Sequence, residues 1–296
     1  MHPHTRRAIQ RRILAWYEQH GRHDLPWRRA RTTLYHIVVS EIMLQQTTVA
    51  TVYDKYKVFI AAFPSWRALA AAPQSEVLRQ WRGLGYNRRA LNLHRCAQMI
   101  VRDHAGRVPA TPEACEQLPG IGPYTARAIL AFGRNADVAA VDVNIARLLA
   151  RWHVTDARAV STTQQAATWM LPHGRSRDWH SALMDFASAV CTKRAPRCDA
   201  CPLARLCPSA AAPHDEASVR RREPGRAECG THVPRRIYRG RIVDALRDHA
   251  LAADVLGQRI KADWDAHADG AWLAEILATL RAEGMIVRRG DTWQLR

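Results

Sequence analysis

Residues Leu118–Thr125 read Leu-Pro-Gly-Ile-Gly-Pro-Tyr-Thr, and the prediction of the fold begins with this stretch. A segment of helical character, Ala126 to Phe132, follows it directly. Two glycines just before a helix N-terminus, Gly120 and Gly122, leave backbone N–H groups open to an anion such as a DNA phosphate. The same pattern is equally typical of a tight turn between two helices. Alone, the loop leaves both interpretations open.

Helical periodicity extends from this loop over residues 6–190. Ile9, Ile13 and Tyr17, for example, share one helix face. Glycine and proline interrupt the pattern at short intervals, and no alternating strand pattern is visible. We therefore predict a mainly α-helical domain of many short helices over residues 6–190.

The pattern changes after residue 207. Residues 208–234 contain few bulky apolar side chains and show no period, which is typical of an exposed linker, although the basic run Arg220–Arg222 could follow phosphates. Residues 235–296 contain three helical segments and two short strands around Gly290. This is the order of a winged helix, and another small α+β module would also fit. Winged helices serve in DNA binding and in protein pairing, so the role of the module stays open.

The charge of the chain narrows the class of partner. The 296 residues include 44 basic and 27 acidic side chains, a net charge of +17, and all but four of the basic residues are arginine. Such an excess indicates a polyanion, either nucleic acid or an anionic membrane surface. No apolar run approaches the roughly 18 residues of a spanning helix, and Met1–Gly21 lacks the apolar core of a secretory signal. Nucleic acid is therefore favoured.

Four of the seven cysteines, Cys191, Cys198, Cys201 and Cys207, are clustered with the spacing C-x6-C-x2-C-x5-C. An odd total, no secretion signal and one tight cluster favour a reduced, intracellular compartment and a metal site over disulfides. Four thiolates can enclose Zn²⁺ or a 4Fe–4S cube. Because only one C-x2-C pair is present, the spacing favours the larger cluster. Residues 191–207 are thus predicted to form an iron–sulfur loop with a structural role.

Taken together, the loop and the cysteines resemble the helix-hairpin-helix DNA glycosylase superfamily, and within it the MutY adenine glycosylases. The resemblance spans residues 6–207, and the matching stretches besides the four cysteines are Leu25–Arg28, Ser40–Thr47, Gly83–Tyr86, Leu118–Thr125 and Val141–Asn144. It implies two helical lobes with a DNA cleft between them, a 4Fe–4S cluster, and a monomer. It also implies action on double-stranded DNA with a mismatch or damaged base, in the cytoplasm at the nucleoid.

Two carboxylates are candidates for the chemistry of N-glycosidic bond hydrolysis. That reaction needs an acid for the departing base and a carboxylate facing the sugar cation. Glu41 lies in the apolar segment Ile37–Leu44, where burial would raise its pKa, though it could be an ordinary helix carboxylate beside Ser40. By resemblance, Glu41 is the acid acting on adenine. Asp142 could simply cap a helix, but the resemblance makes it the group that stabilises the sugar cation, with Asn144 nearby.

Tyr124 predicts that the DNA strand stays intact. In family members that also cleave the strand, this position holds a lysine that forms a Schiff base with the sugar. A phenol cannot form that bond. The resemblance therefore implies a monofunctional glycosylase whose product is an abasic site.

A glycosylase must also extrude its target base and fill the gap. By resemblance, Tyr86 and Gln46, preceded by Gln45, wedge into the duplex, and Trp27 and Arg28 line the adenine pocket. The hairpin residues Gly120, Gly122 and Thr125 would contact DNA. Tyr86 could instead be a half-buried turn aromatic, Gln46 a solvated helix residue and Trp27 ordinary core.

Three departures from the MutY pattern affect the substrate. Val143 stands where glycine is usual and is expected to narrow the pocket, Asn87 replaces a second tyrosine, and residues 235–296 do not resemble the Nudix-like domain that recognises 8-oxoguanine. Mismatch thymine glycosylases also lack that domain, and Leu183–Phe186 resembles their sequence. Adenine opposite 8-oxoguanine or G is favoured over thymine or uracil opposite G.

Two further hypotheses belong to other classes of protein. A non-catalytic DNA-binding protein would bind duplexes tightly and release no base. A 4Fe–4S redox sensor on DNA would change its affinity when the cluster is oxidised.

Overall fold

The computed structural model describes residues 1–29, 32–154, 160–210 and 223–296. Part of the predicted linker, including Arg220–Arg222, lies outside the described residues. In chain order the helices are α1 (Pro3–His20), α2 (Leu34–Leu44), α3 (Val49–Ala62), α4 (Trp66–Ala71), α5 (Gln74–Gln80), α6 (Arg88–Asp103), α7 (Pro112–Glu116), α8 (Pro123–Arg134), α9 (Val143–Arg151), α10 (Val160–Met170), α11 (Ser176–Ala189), α12 (Arg235–Ala245), α13 (Ala253–Ile260) and α14 (Ala266–Ala282). The strands are β1 (Gly225–Glu228), β2 (Thr231–Pro234), β3 (Leu251–Ala252), β4 (Ile286–Arg289) and β5 (Thr292–Leu295). The prediction of a mainly helical protein with a small C-terminal sheet module is confirmed.

The chain forms two compact units. The first unit comprises Met1–Glu41 and Val108–Val219. Its core forms where α1 packs against α11, with Ile13, Trp179 and Phe186 almost fully buried. Leu148 and Trp152 add the apolar face of α9 to the same core. This packing follows from the helical periodicity of the segments, since each presents one apolar face.

The second unit comprises Ile42–Arg107 and Arg220–Arg296. Its helical part is built from α3 to α6, and Phe59 meets Trp81 edge to face with 5.8 Å between the ring centroids. Side-chain caps define where two of these helices begin: Thr48 accepts from the N–H of Thr51 and Ser65 from that of Ala68. Such caps satisfy N–H groups that have no partner within the helix.

The C-terminal module, defined as residues 225–296, has the winged-helix order of elements. After the β1–β2 hairpin come α12, β3, α13, α14, β4 and β5, and the three-stranded antiparallel sheet has the order β3-β5-β4. Gly290, with φ of 57°, makes the turn between β4 and β5. With only two residues, β3 is too short to give an alternating pattern. The β1–β2 hairpin occupies the last ten residues of the segment 208–234, which the sequence predicts as linker.

Buried ion pairs hold the β1–β2 hairpin against the rest of the module. Asp269, at the start of α14, is 2% exposed and pairs with Arg226 of β1 at 2.6 Å and with Lys261 at 3.0 Å. These partners join positions far apart in the sequence, so its local pattern does not reveal them. None of the described helices is both long and apolar enough to cross a membrane.

Candidate active site

Glu41 lies on α2 among fully buried neighbours. Val39 and Ile42 flank it, and Ser40 turns its hydroxyl back to the carbonyl of Ile37 at 2.9 Å. Burial raises the pKa of Glu41 to about 7, the charge of Arg28 lowers it, and the charge of Asp142 raises it. Because a carboxyl needs little solvation when neutral, this pocket favours the protonated form. Glu41 can therefore act as a proton donor near neutral pH.

Asp142 is the N-cap of α9. Its Oδ1 accepts from the backbone N–H groups of Asn144 at 2.9 Å and Ile145 at 2.8 Å. Its Oδ2 accepts from the side-chain amide of Asn144 at 2.7 Å. These three hydrogen bonds fix the Asp142 carboxyl group at the N-terminus of α9.

Arg147 connects this pair to the cysteine segment. One guanidinium nitrogen donates to Asn144 Oδ1 at 2.9 Å, and another donates to the carbonyl of Cys191 at 3.1 Å. One turn later on α9, Arg151 donates to the sulfur of Cys191 at 3.3 Å and to the carbonyl of Thr192 at 2.7 Å. Helix α9 thus joins Asp142 to the first cysteine of the cluster.

Tyr124 is the second residue of α8. Burial raises its pKa well above the ordinary value, and the nearby charges of Glu41 and Asp142 raise it further. Burial and both charges thus act on the phenol in the same direction. The hydroxyl therefore stays protonated and can donate a hydrogen bond.

The glycine loop lies between α7 and α8. Gly120 has a φ of 81°, a left-handed conformation that favours glycine, and Gly122 is the N-cap of α8. No side chain caps α8, and a Cβ at Gly122 would meet nothing within 4 Å. Thr125 is buried in the first turn. The loop joins two packed helices, as the hairpin interpretation predicts, and the space beside Gly122 at the helix N-terminus is open.

Arg28 is held by a carboxylate that the sequence analysis did not assign to the site. Asp185 of α11 is 2% exposed and receives Arg28 at 2.7 Å. The backbone N–H and the guanidinium of Arg22 also donate to Asp185, each at 2.8 Å. Trp27 is buried. In the sequence, Asp185 is visible only as a single acidic residue on the apolar face of α11. Such a residue is expected to pair with a cation, but the sequence does not identify which one.

His180 fixes the segment that leads into Asp142. Its Nε2 accepts from the backbone N–H of Ala140 at 2.9 Å, and its Nδ1 lies 2.7 Å from the carbonyl of Ser176. Burial lowers the pKa of His180, so the ring stays neutral and can accept on one nitrogen and donate on the other. The sequence analysis did not identify this residue either.

The four cysteines line one cavity of about 360 Å³, counted with its opening to solvent. None of the four is in a disulfide bond. Burial, together with the neighbouring thiol groups, raises the pKa of Cys201 to about 11. Among the described residues, no group of three Cys, His, Asp or Glu side chains is arranged to hold a metal ion. Four thiolates around one cavity would need a cationic group between them, and a polynuclear cluster suits a donor set spread over a cavity wall.

The two predicted wedge residues belong to the second unit. Gln46 has a φ of 56° and Tyr86 a φ of 45°, both unusual for residues other than glycine. Arg89 of α6 connects their segments because one guanidinium nitrogen contacts the carbonyl of Gln45, while the other donates to the carbonyls of Leu84 at 2.8 Å and Gly85 at 3.2 Å. The sequence analysis did not identify Arg89, since its partners lie on another segment.

Val143, the first residue of α9, is 80% exposed. Its side chain is therefore not packed into the protein interior beside Asp142. That Val143 narrows the pocket stays a prediction.

The chain is similar to proteins of known family over most of its length. A family model described as HhH-GPD superfamily base excision DNA repair protein matches residues 39–172. The adenine DNA glycosylase of Mycolicibacterium smegmatis is 37% identical over 282 residues, which cover 94% of this chain and 92% of that protein. The adenine DNA glycosylase of Mycobacterium tuberculosis is 39% identical over 286 residues, with 94% and 90% covered.

Among solved structures, that of a thermostable thymine-DNA glycosylase is similar with a TM-score of 0.65 and 30% identity. The match covers 70% of this chain and 97% of the other. The two mycobacterial matches thus cover more of the chain than the structural one.

Proposed function

Because the chain belongs to the HhH-GPD superfamily of base excision DNA repair proteins, we propose that it is a DNA glycosylase that removes mispaired adenine from double-stranded DNA. The adenine would lie opposite 8-oxoguanine or G and would be flipped out of the duplex. The observation that carries the proposal is the presence of two carboxyl groups in one unit: Glu41, whose pKa burial raises to about 7, and Asp142, which three hydrogen bonds hold at the N-terminus of α9. A carboxyl group that can keep its proton near neutral pH and a second one held at a helix N-terminus suit the roles of an acid and an electrostatic partner.

In this mechanism Glu41 donates its proton to the adenine ring as the N-glycosidic bond breaks. Protonation makes the base a better leaving group, and positive charge develops on the sugar. Asp142, held by two backbone N–H groups, faces that charge and stabilises it. Water then adds to the sugar, and the proton that it loses passes to a carboxylate. The products are free adenine and an abasic site.

Tyr124 and Asn144 support the two carboxylates. Asn144 donates to Asp142 and is itself fixed by Arg147, so the carboxylate keeps one orientation. Tyr124 offers a neutral hydroxyl and no amine. Since a Schiff base needs an amine, strand cleavage through this position is excluded, and the enzyme is proposed to be monofunctional.

Contacts with DNA would come from both units. The N-terminus of α8, which no side chain caps, would meet a phosphate, with Gly120 and Gly122 in the preceding loop and Thr125 in the first turn of the helix. Tyr86, 45% exposed, and Gln46 would fill the space that the extruded base leaves. Trp27 and Arg28 would border the base, with Arg28 oriented by Asp185.

Cys191, Cys198, Cys201 and Cys207 would hold a 4Fe–4S cluster. The fit rests on four cysteines that line one cavity without forming disulfides and on a buried arginine that donates to the sulfur of Cys191. The cluster would supply a covalent cross-link for residues 191–207, which is a structural contribution. Reduced cysteines also fit a reduced compartment, and we propose a monomer acting on nucleoid DNA in the cytoplasm.

A second candidate function is removal of thymine or uracil opposite G. It is favoured by the similarity to a thymine-DNA glycosylase of solved structure. Adenine is preferred because the relatives that match nearly the whole chain are adenine DNA glycosylases.

The test is single-turnover base release from end-labelled duplexes that carry A opposite 8-oxoguanine, A opposite G, T opposite G or U opposite G. Product is measured as strand breakage with and without alkali. The proposal predicts breakage at the adenine only, and only after alkali. Breakage at T or U alone would support the second candidate. Binding without release from any duplex would support a non-catalytic DNA-binding protein.

A further inference from the structure

The wedge segment, defined as Gly83–Asn87, has an unusual backbone. Gly83 and Gly85 have φ values of 84° and 65°, and Tyr86 between them and α6 has a φ of 45°. A left-handed conformation costs a non-glycine residue free energy, so surrounding contacts must maintain it. The Tyr86 side chain remains 45% exposed. The segment therefore presents an aromatic ring on a backbone that depends on its neighbours.

Contacts within the helical part of the unit hold one side of the wedge segment. Arg89 donates to the carbonyls of Leu84 and Gly85, and the indole of Trp81 donates to the same Gly85 carbonyl at 3.1 Å. The Arg89 guanidinium also lies 5.5 Å from the centroid of the Tyr86 ring. These contacts end at Tyr86 and do not include the Asn87 side chain.

The C-terminal module holds the other side. Asn87 is the N-cap of α6, but its side chain makes no capping hydrogen bond. Its Oδ1 instead accepts from the guanidinium of Arg247, just after α12, at 3.4 Å. Asn87 is 8% exposed and Arg247 is 1% exposed, so this contact between residues 160 positions apart is buried.

Burying the Arg247 guanidinium costs free energy, so stabilisation of the fold alone does not explain this residue. Its Nε pairs with Asp244 at 2.7 Å, whereas Nη1 is buried with no hydrogen-bond partner among the described residues. Burying a cation with an unsatisfied donor is less stable than packing an apolar side chain of the same size. A residue that merely fixed the module in place would be better replaced by a hydrophobic one.

Neighbouring contacts fix the position of Arg247 relative to the wedge segment. Its own carbonyl accepts from Arg79 of α5 at 2.9 Å, and the next residue, Asp248, pairs with Arg82 at 2.7 Å. Farther from the wedge segment, Gln74 donates to the carbonyl of Gly284 at 2.6 Å. The module is thus anchored on both sides of the Arg247–Asn87 contact.

Helix α14 of the module carries few side chains that could form hydrogen bonds with DNA bases. In a winged helix the third helix enters the major groove and needs basic or amide side chains there. The exposed residues of α14 are alanines, His267 and Glu275, with Arg281 in the last turn as its one basic residue. A single arginine at the end of the helix is a small basic surface, so the composition favours a contribution through the helical part of the unit.

We propose that the C-terminal module positions the Tyr86 wedge through the buried contact between Arg247 and Asn87. The inference rests on the proposed function in one respect, that Tyr86 enters the duplex when DNA binds. Arg247 is a positioning residue because it acts through Asn87. The module then sets the geometry of base extrusion and leaves proton transfer at Glu41 untouched.

The test uses full-length protein and a mismatched duplex with 2-aminopurine beside the target base, whose fluorescence rises when the wedge unstacks it. Stopped-flow traces give the rate of that rise for the parent, Arg247→Met, Asn87→Ala and the double variant. Both single variants are expected to slow the rise about tenfold, and the double variant no further, because the two residues form one contact. Gln74→Ala, which removes an anchor away from the wedge segment, is the matched control and should keep the parent rate.

Thermal unfolding and equilibrium DNA binding separate positioning from folding. Arg247→Met should have the melting temperature and the duplex affinity of the parent. If Arg247→Met does not fold, Asn87→Ala provides the same test. Parent rates in both single variants would overturn the inference, as would equal slowing by Gln74→Ala. Base release by the parent is measured in parallel. A fluorescence rise without base release would contradict the proposed function and leave the positioning role standing.

Discussion

At the scale of single residues, Glu41 and Asp142 have different surroundings. Glu41 stands between the buried residues Ser40 and Ile42 in the sequence of α2, and burial raises its pKa to about 7. Asp142 accepts three hydrogen bonds at the N-terminus of α9. Each carboxyl group can be tested by its own substitution.

We predict that base release falls as the pH rises above about 7, because Glu41 then loses the proton that it must donate. Glu41→Gln, which has no such proton, should lower the single-turnover rate by about 10²- to 10⁴-fold. A rate that is flat across this pH range in the parent would contradict the assignment of Glu41 as the acid.

Glu41→Gln should also change how stability depends on pH. The folded carboxyl binds its proton up to about pH 7, whereas the unfolded one loses it near 4.5, so the parent loses stability as the pH rises between these values. The variant lacks this loss and should be more stable than the parent at pH 8, by about 3 kcal/mol. Urea unfolding at pH 4 and pH 8 measures the difference, which should be small at pH 4. Parallel pH profiles for the two proteins would contradict the raised pKa.

For Asp142→Asn we predict loss of base release with little loss of stability. The amide oxygen can still accept from backbone N–H groups, but the negative charge that faces the sugar is gone. Asp265 caps α14 through the same pattern, accepting from His267 and Ala268 at 2.8 Å each. Asp265→Asn is therefore the matched control. Its melting temperature should change by a similar amount, and its activity should equal that of the parent. Equal activity in the two variants would show that Asp142 serves only as the N-cap of α9.

At the scale of elements, the sequence predicts the helices well and their long-range partners poorly. The apolar periodicity of α1 and the glycine loop before α8 were visible because they are local patterns. The winged-helix order was also visible, except for β3, whose two residues pair with β5 far along the chain.

The same limit applies to the candidate site. The apolar neighbours of Glu41 predicted its partial burial, and the position of Asp142 before a helical segment predicted its cap. Asp185 meets Arg28 across 157 positions, and Arg247 meets Asn87 across 160. Such pairs depend on tertiary packing, which a single sequence does not encode in any local pattern.

Helix α9 connects the cysteine segment to Asp142, and Arg147 is the residue that makes the connection. Arg147→Met removes its bonds to Asn144 and to the carbonyl of Cys191. We predict a decrease of about 10- to 100-fold in single-turnover base release, the usual effect of losing a residue that orients a reacting group. Arg177→Met is the control, since Arg177 also donates to backbone carbonyls, those of Phe132 and Gly133, away from Asp142. Full activity in Arg147→Met would show that Asn144 needs no such support.

At the scale of the whole molecule, the net charge of +17 predicts affinity for DNA that depends steeply on salt. A protein that neutralises about six phosphates loses affinity with a slope of about −5 in a plot of log K against log salt concentration. Matched and mismatched duplexes should give parallel lines, because phosphate contacts carry no sequence information. Fluorescence anisotropy titrations at several salt concentrations measure both slopes. A slope near zero would contradict a DNA-binding role for the arginine excess.

The central claim is that this chain releases adenine as a free base through Glu41. Its most direct test is chromatographic detection of the base liberated from a duplex with one adenine opposite 8-oxoguanine, using the parent and Glu41→Gln side by side. We expect the parent to release free adenine and to leave an uncut strand with an abasic site. We expect almost no adenine from the variant. Equal release by both proteins, or no adenine from a parent that binds the duplex, would contradict it.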